Sequence, residues 1–202
     1  MKTLVPLTAE PRIRVGILAA PQLHFAFHGP YAMGTHRVTG RQTVECVDGR
    51  IHWDGMMYDE LLFLPQDAGA TLTLSDVTIG LRFHWQRQEV QTFGGVLRVI
   101  VDGDRLVAIN ELPVEDYLVS VISSEMRSTS SLEFLKASAI VARSWLFAQL
   151  WRKPNTLESP DIPETESHSQ SEDTLIRWYD REDHALFDVC ADDHCQRYQG
   201  LT

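Results

Sequence analysis

Basic charge is scarce in this chain of 202 residues: 18 Lys and Arg face 28 Asp and Glu, for a formal net charge of −10. That balance argues against a protein that holds nucleic acid through a basic face. Long apolar runs are also missing. With no stretch of 18 apolar residues, no membrane-spanning helix is expected. Met1 to Glu10 has one Lys but no apolar core region, so no signal peptide is visible. No period of 20–50 residues repeats, which excludes solenoid and propeller arrays. What the chain does have is an ordinary 44% hydrophobic content, enough to bury a real core.

The stretch before residue 110 reads as strands and tight turns. Ile13–Leu18 is a short apolar run, and His24–His28 a second, which Gly29-Pro30 is expected to break. Thr43–Val47 and Arg50–Trp53 flank Asp48-Gly49, a two-residue hairpin signal. Further pairs run Thr71–Leu74 with Val77–Trp85, and Val96–Val101 with Leu106–Ile109 around Asp102-Gly103-Asp104. Five of the eight histidines lie here: His24, His28, His36, His52 and His84. Only His24 and His28 have close spacing, on one side of a strand, and surface or half-buried histidines explain them as well as a metal does. Trp53, Tyr58 and Trp85 are candidates either for core packing or for contact with a ligand. Cys46 reads as a small core residue.

Two helix signals follow. Leu112-Pro113 opens the first, with Glu115 and Asp116 in the first turn where the dipole favours acids. Val114, Leu118, Val121 and Ile122 recur at helical spacing. Ser130 opens the second, with Glu133 three residues on as a capping box. Leu132, Leu135, Ala139, Ala142 and Leu146 form its stripe. Three charges here are candidates for chemistry. Lys136 and Arg143 are two turns apart on one face, about 10 Å along the axis. Glu125 falls at the end of the first helix, where the dipole is expected to raise a carboxyl pKa, as a general acid needs. The competing reading is three solvated charges near helix ends.

Asn155 to Asp173 has six acids and no Lys or Arg, and residues 154–173 read as an acidic, dispensable loop. The last block, Trp178 to Thr202, holds Cys190 and Cys195 with His184 and His194 nearby. His184, Cys190 and Cys195 suit Zn²⁺ as three nitrogen and sulfur ligands within twelve residues, with His194 as the alternative or fourth. A disulfide or unligated thiols remain open.

The motifs together resemble the SpoIID/LytB family, the sporulation protein D and amidase-enhancer group. They are Asn110, Leu112-Pro113-Val114-Glu115-Asp116-Tyr117-Leu118, Glu125-Met126, Glu133-Phe134-Leu135-Lys136-Ala137-Ser138-Ala139, Ala142-Arg143-Ser144-Trp145 and Gln196-Arg197-Tyr198-Gln199-Gly200. Arg127, Ser138 and Trp145 depart from the usual Pro, Gln and Tyr. The resemblance implies a peptidoglycan lytic transglycosylase that cuts the MurNAc–GlcNAc bond, with Glu125 as acid/base and Lys136 and Arg143 ordering the cleft. The alternative it implies is a non-catalytic glycan-binding enhancer of a cell-wall amidase. It also implies structural zinc at the Cys/His segment and a place in the cell envelope, against which the lack of a visible leader stands out. The usual Ser-Ser-Gly-Gly-type loop after the Tyr-x-Gly is missing, which suggests a C-terminally incomplete family domain. The expected fold is α+β: a β-rich region over 1–109, then 110–202 with a two-helix core, the acidic loop and the Cys/His segment.

Overall fold

Side chains alternate in and out along the first hundred residues, and antiparallel strands follow from that period of two. The computed structural model describes residues 10–80, 83–152, 170–171, 174–175 and 184–201. The strands are β1 (Arg12–Ala20), β2 (Gln22–Met33), β3 (His36–Val47), β4 (Arg50–Trp53), β5 (Met56–Tyr58), β6 (Glu60–Pro65), β7 (Thr71–Ile79), β8 (Arg87–Gly94), β9 (Val96–Asp102) and β10 (Arg105–Pro113). Helices α1 (Val114–Glu125) and α2 (Leu132–Arg152) follow, then short strands β11 (Gln170–Ser171), β12 (Thr174–Leu175) and β13 (Val189–Cys190). The architecture is α+β, as the sequence leads one to expect.

One path of hydrogen-bonded strands runs β13-β1-β10-β9-β6-β2-β3-β4-β5, with β7 and β8 branching from β2. Every pairing among β1–β10 is antiparallel, while β13 joins the free edge of β1 in parallel. Phe25 and Phe27 on β2 pack against Phe63 on β6 to form an aromatic centre, with ring centroids 5.1–5.5 Å apart for Phe25–Phe63 and Phe27–Phe63. Asp48 and Gly49 both take positive φ, as a tight hairpin between β3 and β4 requires. The expected break at Gly29-Pro30 does not occur. Gly29, at φ 118°, makes a bulge that β2 passes through before pairing again at Tyr31.

The helices begin one residue later than their sequence signals. Pro113 occupies the cap position of α1, and the Ser131 hydroxyl, not Ser130, accepts from the Phe134 amide (3.3 Å) at the start of α2. The buried stripe of α2 is Ala142, Leu146 and Leu150, with Leu135 and Ala139 half-buried, whereas Leu132 is 64% exposed. The expected loop at 154–173 lies outside the described residues apart from Gln170 and Ser171.

A buried polar network ties the chain's last segment to the sheet. Asn110 on β10 is fully buried and donates to the carbonyls of Gly94 (2.8 Å) and Val96 (3.0 Å). Its oxygen accepts from the Tyr198 hydroxyl (2.6 Å). Tyr198 stacks on Tyr117 of α1, whose hydroxyl donates to Gln196, and Gln196 donates to the Ala142 carbonyl of α2. Gly200 closes the segment at φ 75°, where a Cβ would meet the Thr92 carbonyl at 2.1 Å, so no other residue fits.

Burial pushes both tyrosine hydroxyls far above their ordinary 10; charge at Cys195 and Glu125 adds to the effect at Tyr117, and Asp116 at Tyr198. Burial also pushes Tyr31 up to about 12. Below pH 10 these tyrosines are neutral whether the chain is folded or not, so their contribution is fully present. Above pH 10 the unfolded chain releases protons that the folded one keeps, and stability falls by about 1.4 kcal/mol per pH unit for each of Tyr117 and Tyr198. Urea unfolding at pH 9, 10 and 11 should therefore show a midpoint that holds at first and then drops steeply. A midpoint unchanged at pH 11 would contradict the burial of this pair.

Candidate functional site

The Cys/His segment is positioned by strand addition and by one ion pair. Asp188 is buried and accepts from the Arg14 backbone amide (2.9 Å) and from its guanidinium (3.2 Å). The Asp188 and Ala191 amides donate to the carbonyls of Arg14 and Gly16 (both 2.9 Å). The Phe187 ring lies where a Cβ on Gly16 would stand (2.5 Å), so the glycine admits the segment against β1.

Four donor atoms converge there. Those of His184, Cys190, His194 and Cys195 all lie within 4.8 Å of one another. Cys195 Sγ is 3.4 Å from His184 Nε2 and 3.6 Å from His194 Nδ1, and Cys190 Sγ is 3.8 Å from His194 Nδ1. A tetrahedral ion with Zn–S and Zn–N bonds of ordinary length needs donor separations of about 3.3–3.8 Å, and these three separations fall in that range. Cys190 and Cys195 are not joined by a disulfide in this structure. The Cys190 thiol shares its proton with Cys195 and its backbone amide donates to Cys195 Sγ (3.4 Å). The hydrogen bonds from Cys190, with further help from His184 and His194, hold the Cys195 thiol below its ordinary value, while the bond to Cys195 and burial push Cys190 up. A metal ion can be held by this group.

Glu125 stands beside it. It is the last residue of α1 and is exposed. Its Oε1 accepts from the backbone amide of Arg197 (3.0 Å), two residues after Cys195. The docked segment thus supplies a donor to the one acid in the link between the helices. Lys136 and Arg143 are engaged elsewhere. Lys136 pairs with Glu133 one turn back (2.9 Å). Arg143 makes a two-pronged pair with Glu115, Nε to Oε1 at 3.1 Å, joining α2 to α1. Arg143 lines a groove of about 450 Å³ between the helices with Leu118, Ile122, Met126 and Ala139. Neither Glu125 nor Lys136 lies on that groove's wall.

A larger cavity, about 730 Å³, opens between the sheet and the Cys/His segment. The sheet contributes Ile17, Val77, Ile79, Gln91 and Val107; the segment contributes His184, Phe187, Cys190, His194 and Arg197. Phe83 at this cavity stacks on Trp85 (5.4 Å), and the Arg197 guanidinium lies over Trp85 (5.3 Å). Of the other aromatic candidates, Trp53 is core: it is buried edge-on to Phe63 (5.3 Å) and donates to Gln42. Tyr58 is half-buried against it. His24 and His28 face separate threonines, Thr43 and Thr73, and belong to no ligand group among the described residues.

Comparison with known proteins falls on these same elements. The SpoIID family profile, described as Stage II sporulation protein, matches residues 102–202, half of the chain. The chain belongs to this family. Over 63 residues it is 35% identical to an uncharacterized protein of Brachyspira hyodysenteriae (strain ATCC 49526 / WA1), a match that covers 31% of this chain and 17% of that protein's length. No solved structure matches.

Sequence reasoning missed Arg197. It acts through its backbone, which no side-chain pattern reports, although the Gln196–Gly200 motif brackets it.

Metal binding at the four-donor group must displace the proton on Cys190, so apparent affinity should fall as pH falls. Titration of the metal-free protein with cobalt(II) at pH 8 and pH 6 should show thiolate charge transfer and tighter binding at pH 8. Cys190→Ser should lose at least about tenfold in affinity. Equal affinity in the variant would remove Cys190 from the site.

Proposed function

We propose that this chain is a peptidoglycan lytic transglycosylase in which Glu125 is the single acid/base. The observation that carries the reading is the carboxylate of the Glu-Met motif, held by the Arg197 amide on Oε1 while Oε2 has no partner among the described residues. Glu125 protonates the glycosidic oxygen between N-acetylmuramic acid and N-acetylglucosamine. It then takes the proton of the muramyl 6-hydroxyl as that oxygen attacks C1, leaving a 1,6-anhydro end. One carboxyl suffices for this route, unlike hydrolysis by a carboxylate pair. The Arg197 amide orients the carboxyl through its bond to Oε1. Arg143 and Lys136 can bind anionic or carbonyl groups of the substrate once they exchange their present partners, Glu115 and Glu133.

Zinc is the ion this reading assigns to His184, Cys190, His194 and Cys195. With four protein donors its role is to hold the last segment on the sheet, keeping the Arg197 amide on Glu125. The reading places the protein in the cell envelope.

A second reading, a non-catalytic glycan-binding enhancer of a cell-wall amidase, is favoured by one observation: Lys136 and Arg143 are both paired and neither shares a groove with Glu125. One assay separates the two. Wild type acting on purified glycan strands should release anhydro-muropeptides, and Glu125→Gln, which keeps size but delivers no proton, should lose about 10²–10⁴-fold in turnover with binding and melting temperature unchanged. Equal turnover in both proteins would refute the role of Glu125. Binding without turnover in either would favour the enhancer.

A further inference from the structure

The four-donor group is open on one side. His184, Cys190 and His194 lie on the wall of the larger cavity, about 730 Å³, whereas Cys195 is not on that wall and packs against the core. The two sulfurs stand within 4.8 Å of each other, and the Cys190 amide donates to Cys195 Sγ (3.4 Å). A disulfide would draw the sulfurs together to about 2.05 Å. Cys46 on β3 is the chain's third cysteine and stands outside the group.

The chemistry of the two sulfurs is exclusive. A thiolate is a metal ligand; a disulfide sulfur carries no charge and is a poor one. The pair can therefore hold a metal ion or bond to itself, and not both. With a metal ion bound both sulfurs are thiolates. Access, and not proton affinity, then decides which of them meets an oxidant. Of the two, Cys190 faces the cavity.

We propose that Cys190 and Cys195 form a redox switch, in which hydrogen peroxide converts the pair to a disulfide and releases the metal ion. The Cys190 thiolate attacks one peroxide oxygen. The O–O bond breaks, leaving a sulfenic acid on Cys190 and a hydroxide. The Cys195 thiolate then attacks the Cys190 sulfur, forms the S–S bond and expels a second hydroxide. Two protons from solvent turn both hydroxides into water. The sulfurs together lose two electrons, the peroxide gains them, and the ion leaves with its charge unchanged. The disulfide closes residues 190–195 on themselves and gives nothing to His184, so the tie between His184 and the last segment is undone. A dithiol reductant returns the two electrons and restores the ligands. The inference rests on the assignment of zinc to this group and is independent of the glycan reading.

The test treats the zinc-loaded full chain with hydrogen peroxide and follows a chromogenic zinc chelator together with intact mass. About one zinc per chain should be released in step with a mass loss of about 2 Da, and digestion should yield a Cys190–Cys195 linked peptide. Dithiothreitol should restore zinc binding. Cys195→Ser removes the resolving thiol, so peroxide with dimedone should leave an adduct on Cys190. In Cys190→Ser, oxidation of Cys195 should be at least about tenfold slower than in wild type. Cys46→Ser should respond as wild type does. The switch is overturned if zinc leaves without a Cys190–Cys195 disulfide, if Cys190 takes no dimedone in Cys195→Ser, or if Cys195 oxidises in Cys190→Ser as fast as in wild type. Zinc that is bound and then retained through the peroxide treatment sinks the switch alone. A chain that binds no zinc before treatment sinks the zinc assignment and the switch with it.

Discussion

The hydrogen bond from the Tyr198 hydroxyl to the Asn110 oxygen, 2.6 Å long and wholly buried, is the joint on which the rest of the site hangs. Asn110 uses its nitrogen to satisfy the carbonyls on either side of Gly95, so its oxygen is fixed in one direction. That oxygen accepts Tyr198, which stacks on Tyr117, and Gln196 then bridges α1 to α2. Loss of any partner would strand a buried polar group, at a cost of about 1–3 kcal/mol. Residues of β10, α1, α2 and the last segment are therefore bound to one geometry, and residues 190–200 are held in it.

The functional groups are consequences of that docking. Cys195 and Arg197 flank Gln196, so seating the glutamine delivers a sulfur to the metal-binding group on one side and a backbone donor to Glu125 on the other. Charge pairing elsewhere in the helices has a different effect: Glu115 with Arg143 joins α1 to α2 beside the groove between them.

Much of this was legible in the sequence, for reasons that differ by element. The Asp48-Gly49 hairpin and the helix-opening Leu112-Pro113 are local signals, and local signals survive folding. The Cys/His ligands could be named from spacing and resemblance, and the structure brings all four together. Gly29 misleads because a glycine that breaks an isolated strand can also serve as a bulge when β3 and β7 hold the strand on both sides. Leu132 misleads because the core side of α2 is set by where α1 lies, and the stripe runs one turn further along. Lys136 and Arg143 share a face by arithmetic, yet ion pairing with Glu133 and Glu115 decides where their charges go.

The central claim is that the Asn110–Tyr198 bond holds Arg197 on Glu125, and amide hydrogen exchange at Arg197 reads it directly. Tyr198→Phe removes the hydroxyl alone and keeps the ring stack. In the variant the Arg197 amide should exchange at least about tenfold faster, because local opening of the last segment becomes easier, while Val99 in the centre of β9 keeps its protection. Unchanged protection at Arg197 would contradict the account, since the carboxylate would then be held independently of the joint.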